Sequence, residues 1–495
     1  MITEIFILAL VLFIYRTLFR KKEPSRLPSG PRSLPLLGNM LDMKRNGHLK
    51  LSEWAEEYGP LYTVRIGMKP ALVVSDTKLL KELFGHAAST GKFKTDTIFE
   101  LTKGAYGVVS TEGELWHEQR QFLIRTLINF GFGKPTMEPI ILSDVQEAID
   151  WIKKDVAEQG TVEIFNVFKS GVTNALWCIV SGDRQTKDDH TFSLLIDAFV
   201  DSIQNSVKSG LFFLSWLKTI APEASGYNWL VKTTDDLHDY VGKLFDKHRE
   251  SFTPGSPRDV IDCYLEKLHT TTDPKSTFYG DNGKKNALAT IIEIFEAGLV
   301  TSSHTLNWLT LYLTHHQDVQ AKLHAEIDRV VGRNRDPSLQ DKAKMPYTEA
   351  VILETLRITS LVPLGVMHEL LYDIDFHGYR LPKGLLLVPN MYHVHHDKKI
   401  WGDPENFRPE RFLEEDESKL IRSDSIIRNS VLAFQMGQRK CLGEPLAKDV
   451  LFLYVSKIFQ NLHASPDPSS PKPNFEYDDG IVLIANKFRV VMDSR

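Results

Sequence analysis

Cys441 is the residue around which a reaction centre can be drawn. It lies in Phe434-Gln-Met-Gly437-Gln-Arg439-Lys-Cys441-Leu-Gly443, directly ahead of the helix-patterned run 444–459. Cysteine acts as a metal ligand or nucleophile in its thiolate form. The free N–H groups and positive dipole end of a helix N-terminus favour that charge. Gly437 and Gly443 let the backbone bend tightly round the sulfur and let a flat ring come close. Arg439 offers a guanidinium to a carboxylate carried by such a ring. An isolated cysteine is most often a buried structural residue. Here five positions fit together, a coincidence on the order of one in ten thousand at average residue usage.

With these residues in place, the sequence resembles the cytochrome P450 superfamily and its F-x-x-G-x-R-x-C-x-G loop, over nearly the whole chain. The resemblance implies haem b, with Cys441 as the axial ligand of its iron and Phe434, Gly437, Arg439 and Gly443 around it. Trp116-His-Glu-Gln-Arg120 matches the family's W-x-x-x-R helix. Residues four apart share a helix face, so Trp116 and Arg120 can reach one propionate. Without the other motifs they would read as an ordinary amphipathic helix. His368 stands where related sequences place a further propionate ligand. Glu354-Thr-Leu-Arg357 can pair on one helix face, and Asn406-Phe-Arg-Pro-Glu-Arg411-Phe resembles the family segment whose arginine joins that pair. Glu354, Arg357 and Arg411 are therefore read as a structural lock rather than as catalysts.

The oxygen-activating segment implied by the resemblance is Ala297-Gly298-Leu-Val300-Thr301-Ser302. Gly298 is expected to open the helix locally, and the Thr301 hydroxyl to steady bound dioxygen and relay protons. A helical threonine more commonly bonds its own backbone. Val300 replaces the acidic residue of the family pattern, and Glu296 faces elsewhere by helical geometry. A water chain is the expected substitute. His393-Val-His395-His396 invites a zinc reading, but such spacing along an extended segment converges poorly on one ion, and no cysteine or carboxylate pair completes the tetrahedron. His315-His316 reads as a helix end.

The elements that must position these residues are mostly helices. Runs 49–58, 115–130, 141–159, 191–208, 235–251, 259–269, 286–315, 319–332 and 346–358 have helical patterning; 286–315 is apolar enough to run buried through the centre. Residues 60–75 read as a hairpin, with short strands at 374–379 and 385–389. The fold class is mainly α with small peripheral β-sheets, the implied haem lying between the long central helix and the cysteine loop.

The 495 residues are 42% hydrophobic and 25% charged, as in a large globular protein. A net charge of −5 gives no reason to expect nucleic acid, and three cysteines build no disulfide framework. The apolar start IFILALVLFIYRTLF is followed by Arg20, Lys21 and Lys22. No basic region precedes it and no small-residue cleavage site follows, against a cleaved signal. It reads as a signal anchor with the remainder cytosolic. The division is 1–20 anchor, 21–38 proline-rich linker and 39–495 catalytic domain, at the endoplasmic reticulum membrane. No strand–G-x-G-x-x-G–helix unit is present, so electrons from NADPH must arrive through a separate cytochrome reductase, with cytochrome b5 as a further donor. Arg125, Lys440 and Lys448 are docking candidates.

The resemblance implies insertion of one oxygen atom from O2 into a small apolar substrate. Segments 93–109, 294–301, 360–366 and 480–484 are the expected pocket walls. The wording is most similar to insect enzymes that epoxidise farnesoic acid or methyl farnesoate in juvenile hormone synthesis. Hydroxylation of an ecdysteroid, fatty acid or amino-acid-derived compound is the alternative. Val300 keeps a reductase-independent haem-thiolate isomerase or dehydratase open, and a non-enzymatic haem or lipid binder is a further class.

Overall fold

The computed structural model describes residues 27–132, 135–184, 191–469 and 472–495. The expected anchor and the first part of the linker lie outside these residues. No helix among the described residues is long and apolar enough to cross a membrane.

Twelve helices of nine residues or more are found among the described residues: α1 Gly47–Tyr58, α2 Thr77–Gly85, α3 Gly113–Asn129, α4 Glu138–Gln159, α5 Val167–Ser181, α6 Thr191–Lys208, α7 Tyr227–Ser251, α8 Val260–Thr270, α9 Gly280–His315, α10 Gln317–Val330, α11 Pro346–Thr359 and α12 Glu444–Asn461. Local chemistry sets several starts. The Asp76 carboxylate accepts the N–H groups of Lys78 and Leu79 at 2.9 Å and caps α2. Pro346 opens α11, where a missing N–H costs nothing. Helix α9 is buried on almost every face from Asn286 onward, and α5, α7, α11 and α12 pack against it.

The main sheet has five strands: β1 Leu61–Ile66, β2 Lys69–Val74, β3 Gly91–Lys92, β4 His368–Glu369 and β5 Leu386–Pro389. Their order is β1-β2-β5-β4-β3. Strands β1 and β2 form the expected hairpin, while β2 and β5 run parallel. At the far edge Lys92 pairs with His368. The end of the linker docks along β1, where Gly38 bridges Ile66; just after it Asn39 N–H donates to the Arg65 carbonyl at 2.7 Å, and its side-chain oxygen accepts Arg65 N–H at 2.9 Å.

The structure differs from the sequence reading at identifiable places. Residues 374–379 are not one strand; Ile374–Phe376 and Tyr379–Leu381 form a tight hairpin, with His377 and Gly378 in the left-handed region. His393, His395 and His396 lie on a short helix, Met391–His396, not on an extended segment. The His395 ring bridges the Ser360 hydroxyl at 2.7 Å and the Leu432 N–H at 2.8 Å. Helix α5 was not foreseen: it is buried on nearly every face, so its apolar residues form no single stripe.

Candidate active site

The cysteine loop is held by backbone geometry. Gly437 has φ of 71°, and a Cβ there would stand 1.9 Å from the Phe84 carbonyl oxygen on α2. Glycine is required on both counts. Gly443 differs: its φ is −79° and its nearest neighbour would be the Cys441 sulfur at 3.7 Å. The Cys441 N–H donates to the Phe434 carbonyl at 3.0 Å, which closes the loop. The sulfur then faces the start of α12, where the N–H groups of Gly443 and Glu444 reach it. Burial pushes the Cys441 thiol up; the Gly443 N–H pulls it down, the Glu444 charge opposes, and the Glu444 N–H and Arg120 pull down again. Cys178 lies within α5 and Cys263 in the first turn of α8, and burial pushes both thiols up to about 11.

Cys441 is exposed only in the sense that its sulfur opens on an internal cavity of about 320 Å³. Ala297, Gly298, Thr301 and Ser302 of α9 line the same cavity, together with Phe434, Arg439 and Gly443. The Thr301 hydroxyl donates to the Ala297 carbonyl at 2.7 Å. Helix α9 runs through Gly298 without interruption, contrary to the expected local opening. A Cβ on Gly298 would meet Leu176 of α5 at 2.7 Å, so this glycine lets two helices close on each other. Val300 is buried and is not part of the cavity wall.

One end of the cavity, beside the cysteine loop, is cationic. Arg439 donates through Nε to the Thr90 carbonyl at 2.9 Å and through its other nitrogens to Val108 and Thr111 carbonyls. Its guanidinium lies 4.0 Å from the Trp116 ring centroid. Arg120 donates to the Lys440 carbonyl at 2.6 Å. Lys92 is buried beside them, and its ammonium has no hydrogen bond or ion pair among the described residues. Burial, then the charges of Arg439 and Arg120, push Lys92 well below its usual range. Burial also brings Arg439 down to about 9. The His368 Nδ1 lies 2.6 Å from the Ser89 carbonyl oxygen. The His368 Nε2 and the Trp116 indole N–H are buried without partners. Buried cations and orphaned polar atoms with no bonded acid amount to an unfilled demand for anions. A flat ring carrying two carboxylates, with a soft metal for Cys441, fits these residues.

Lys92 was missed by sequence reasoning. Nothing in its neighbours marks it; its importance follows from a strand register with His368, far away in the chain.

Glu354, Arg357 and Arg411 meet in the core. The Arg357 Nε and Nη2 donate to Glu354 at 2.7 and 2.8 Å, and the Arg411 Nε donates to the same carboxylate at 3.1 Å. Arg357 also donates to the His395 carbonyl at 2.7 Å. All three side chains are at most 4% exposed.

A second cavity, of about 570 Å³, adjoins the first. Its walls include Phe93, Ile98 and Val109, then Leu364 and Val366, then Gly480 and Ile481, all within expected segments. Phe199, Ile203 and Phe213 complete it and were not foreseen. Lys440 and Lys448, expected on a docking face, both pair with Glu444, at 2.6 and 2.7 Å.

Comparison with known proteins agrees with this geometry. The Cytochrome P450 family profile matches residues 28–492. A Farnesoate epoxidase of Bombyx mori is 32% identical over 501 residues, covering 99% of this chain and 98% of that one. Cytochrome P450 2J5 of Mus musculus is 31% identical over 490 residues, covering 98% and 95%. Cytochrome P450 18a1 of Drosophila melanogaster is 29% identical over 500 residues, covering 99% and 91%. A mainly helical chain with small separate sheets, a cysteine at a helix mouth and a match over nearly its full length belongs to the cytochrome P450 family of haem monooxygenases.

Proposed function

We propose that this chain inserts one oxygen atom from O2 into a sesquiterpenoid, as a farnesoic acid or methyl farnesoate epoxidase, using electrons from NADPH delivered by a separate reductase. The observation that carries the chemical part is the Cys441 sulfur facing, across one cavity, the Ala297–Thr301 stretch of α9. Haem held by the Cys441 thiolate would supply the oxygen chemistry, with electron density donated by the sulfur favouring O–O cleavage.

The residues divide the remaining work. The N–H groups of Gly443 and Glu444 stabilise negative charge on the Cys441 sulfur. Arg439, Arg120, Lys92, Trp116 and His368 would hold the ring carboxylates. Phe434 and Gly437 shape the loop, and Ala297 and Gly298 keep the α9 wall low. The Thr301 hydroxyl donates to the Ala297 carbonyl, which leaves its oxygen lone pairs free to accept from a water chain in the cavity. Glu354, Arg357 and Arg411 fix the support beneath. The apolar second cavity suits a terpenoid chain, and the similarity to a farnesoate epoxidase supports that choice.

Residues 1–20 would anchor the chain in the endoplasmic reticulum membrane, with 21–38 as linker and 39–495 as the cytosolic catalytic domain. Cytochrome b5 is the proposed second electron donor. An exposed apolar patch supports the membrane reading: Leu34, Leu36, Leu41 and Met68 on one side, Trp216 and Ile220 on the other. Leu214 approaches Gly67 and Met40 approaches Gly210, so the two sides converge. Leu41 also lines the larger cavity, which puts its mouth at the patch.

The test is incubation of full-length protein with reductase, NADPH and either farnesoate, with products read by mass spectrometry. An epoxide that requires both reductase and NADPH is expected. Product without either would overturn the monooxygenase reading, and oxygenation of other substrates alone would remove the sesquiterpenoid. In parallel, Cys441→Ser should abolish the carbon monoxide band near about 450 nm that marks a thiolate ligand.

A further inference from the structure

Helix α9 presents two neighbouring rows of side chains to two chambers. Ile294, Ala297, Gly298, Thr301 and Thr305 face the chamber of Cys441. Ala289, Ile292 and Glu296 line only the larger apolar cavity, and Glu293 lines both where they adjoin. Steps of three and four keep each row on one helix face.

The two acids of the second row have different surroundings. Glu293 is buried, and its carboxylate accepts the N–H groups of Val108 at 2.6 Å and Val109 at 3.1 Å. Glu296 accepts no hydrogen bond and forms no ion pair among the described residues. It is only partly buried, because it faces the cavity. A carboxylate left bare in an apolar chamber costs free energy until a ligand brings a donor or a cation.

The other ionisable groups of this cavity are engaged or lie at its mouth. Lys208 pairs with Asp478. Asp479 accepts the Asn46 N–H at 2.6 Å. His48 lies 3.1 Å from the Tyr477 hydroxyl, and His238 lies 3.2 Å from the Leu101 carbonyl oxygen. Lys44 is exposed at the surface. Lys92 lines both cavities; it sits with Arg439 and Arg120 among the groups that would hold the ring carboxylates.

We propose that Glu296 is a specificity-determining residue: it holds the hydrogen-bonding or cationic group of an otherwise apolar substrate and turns away substrates that end in a carboxylate. Burial pushes the Glu296 carboxyl up to about 7, so the comparison below is made at about pH 8.5, where it is ionised. This deepens the monooxygenase reading and rests on it. Of the two sesquiterpenoids, the neutral methyl ester is compatible with Glu296 and the ionised free acid is not.

The test compares N,N-dimethyldecylamine, decanol and decanoate on haem-loaded full-length protein, with dissociation constants read from the haem absorbance shift. The tertiary amine keeps its nitrogen off the iron. The native chain should bind the amine at least about tenfold more tightly than decanoate. Glu296→Gln should bring the two within about threefold while moving decanol by less than that. Glu296→Asp, which keeps the charge, should retain the amine preference, and it serves as the folding control. An unchanged amine-to-decanoate ratio in Glu296→Gln overturns the proposal, as does tighter decanoate binding by the native chain. The two readings fail separately. Reductase-driven oxygenation with an unchanged ratio removes only the role of Glu296. A ratio that collapses without any oxygenation by NADPH and reductase leaves that role and removes the monooxygenase.

Discussion

At the scale of single residues, the site is built from charges whose partners are missing or remote. Arg439, Arg120 and Lys92 crowd one end of a cavity without a bonded acid, whereas His248 shows the opposite arrangement. Its Nε2 lies 3.3 Å from Asp259 and 3.1 Å from the Ser181 carbonyl oxygen; its Nδ1 lies 2.9 Å from that of Leu244. Burial alone would lower its pKa. The bond to Asp259, the backbone carbonyls and the Asp259 charge outweigh burial and lift it to about 9, from an ordinary 6.5. The folded state therefore binds this proton more tightly than the unfolded state. The resulting stabilisation is complete below pH 6.5 and vanishes as pH rises through 9. His248→Gln should cost about 2 kcal/mol more at pH 6 than at pH 10, measured as urea unfolding. An equal loss at both values would show that the proton contributes nothing. Cys441 was legible in the sequence because its neighbours repeat a known spacing. Lys92 was not, because its role depends on a tertiary register.

At the scale of elements, two glycines of one loop are predicted to behave differently. Gly437→Ala would force a left-handed backbone and collide with the Phe84 carbonyl. It should destabilise the chain by about 3 kcal/mol or more. Gly443→Ala meets no such contact and should cost about 1 kcal/mol as a poorer helix cap. Paired denaturation curves check this; equal losses would refute it. The junction between α11 and the 403–411 segment gives a second prediction. Glu354→Gln leaves Arg357 buried without its acid, while Arg411 keeps Asp403 at 3.2 Å, and should cost about 3 kcal/mol in the same assay. Replacing Glu354 and Arg357 together with apolar residues should cost less than the single change. Helix α6 was legible to the residue, since its apolar stripe is clean. The first turn of α9 was not, because Gly280-Asp-Asn-Gly283 reads as a loop until packing holds it against Phe278. Helix α5 hid for the opposite reason, being buried on nearly every face.

At the scale of the whole molecule, the helical fold class and the hairpin could be read from periodicity, while the pairing order of the five-stranded sheet could not, because its strands come from distant parts of the chain. The apolar patch formed by Trp216, Ile220 and the 34–41 segment gives the molecule a side that should meet lipid. In full-length protein reconstituted with bromine-labelled lipid, Trp216 should be quenched, and Trp216→Phe should remove most of the quenchable emission. Unchanged quenching would turn this side away from the bilayer. Helix α9 borders both adjoining cavities, with Glu296 on the larger one alone and Thr301 on that of Cys441 alone. Point changes in the row of Glu296 can thus redirect which compound is accepted while the machinery facing Cys441 stays intact. Such a wall allows selectivity to drift, or to be engineered, one residue at a time.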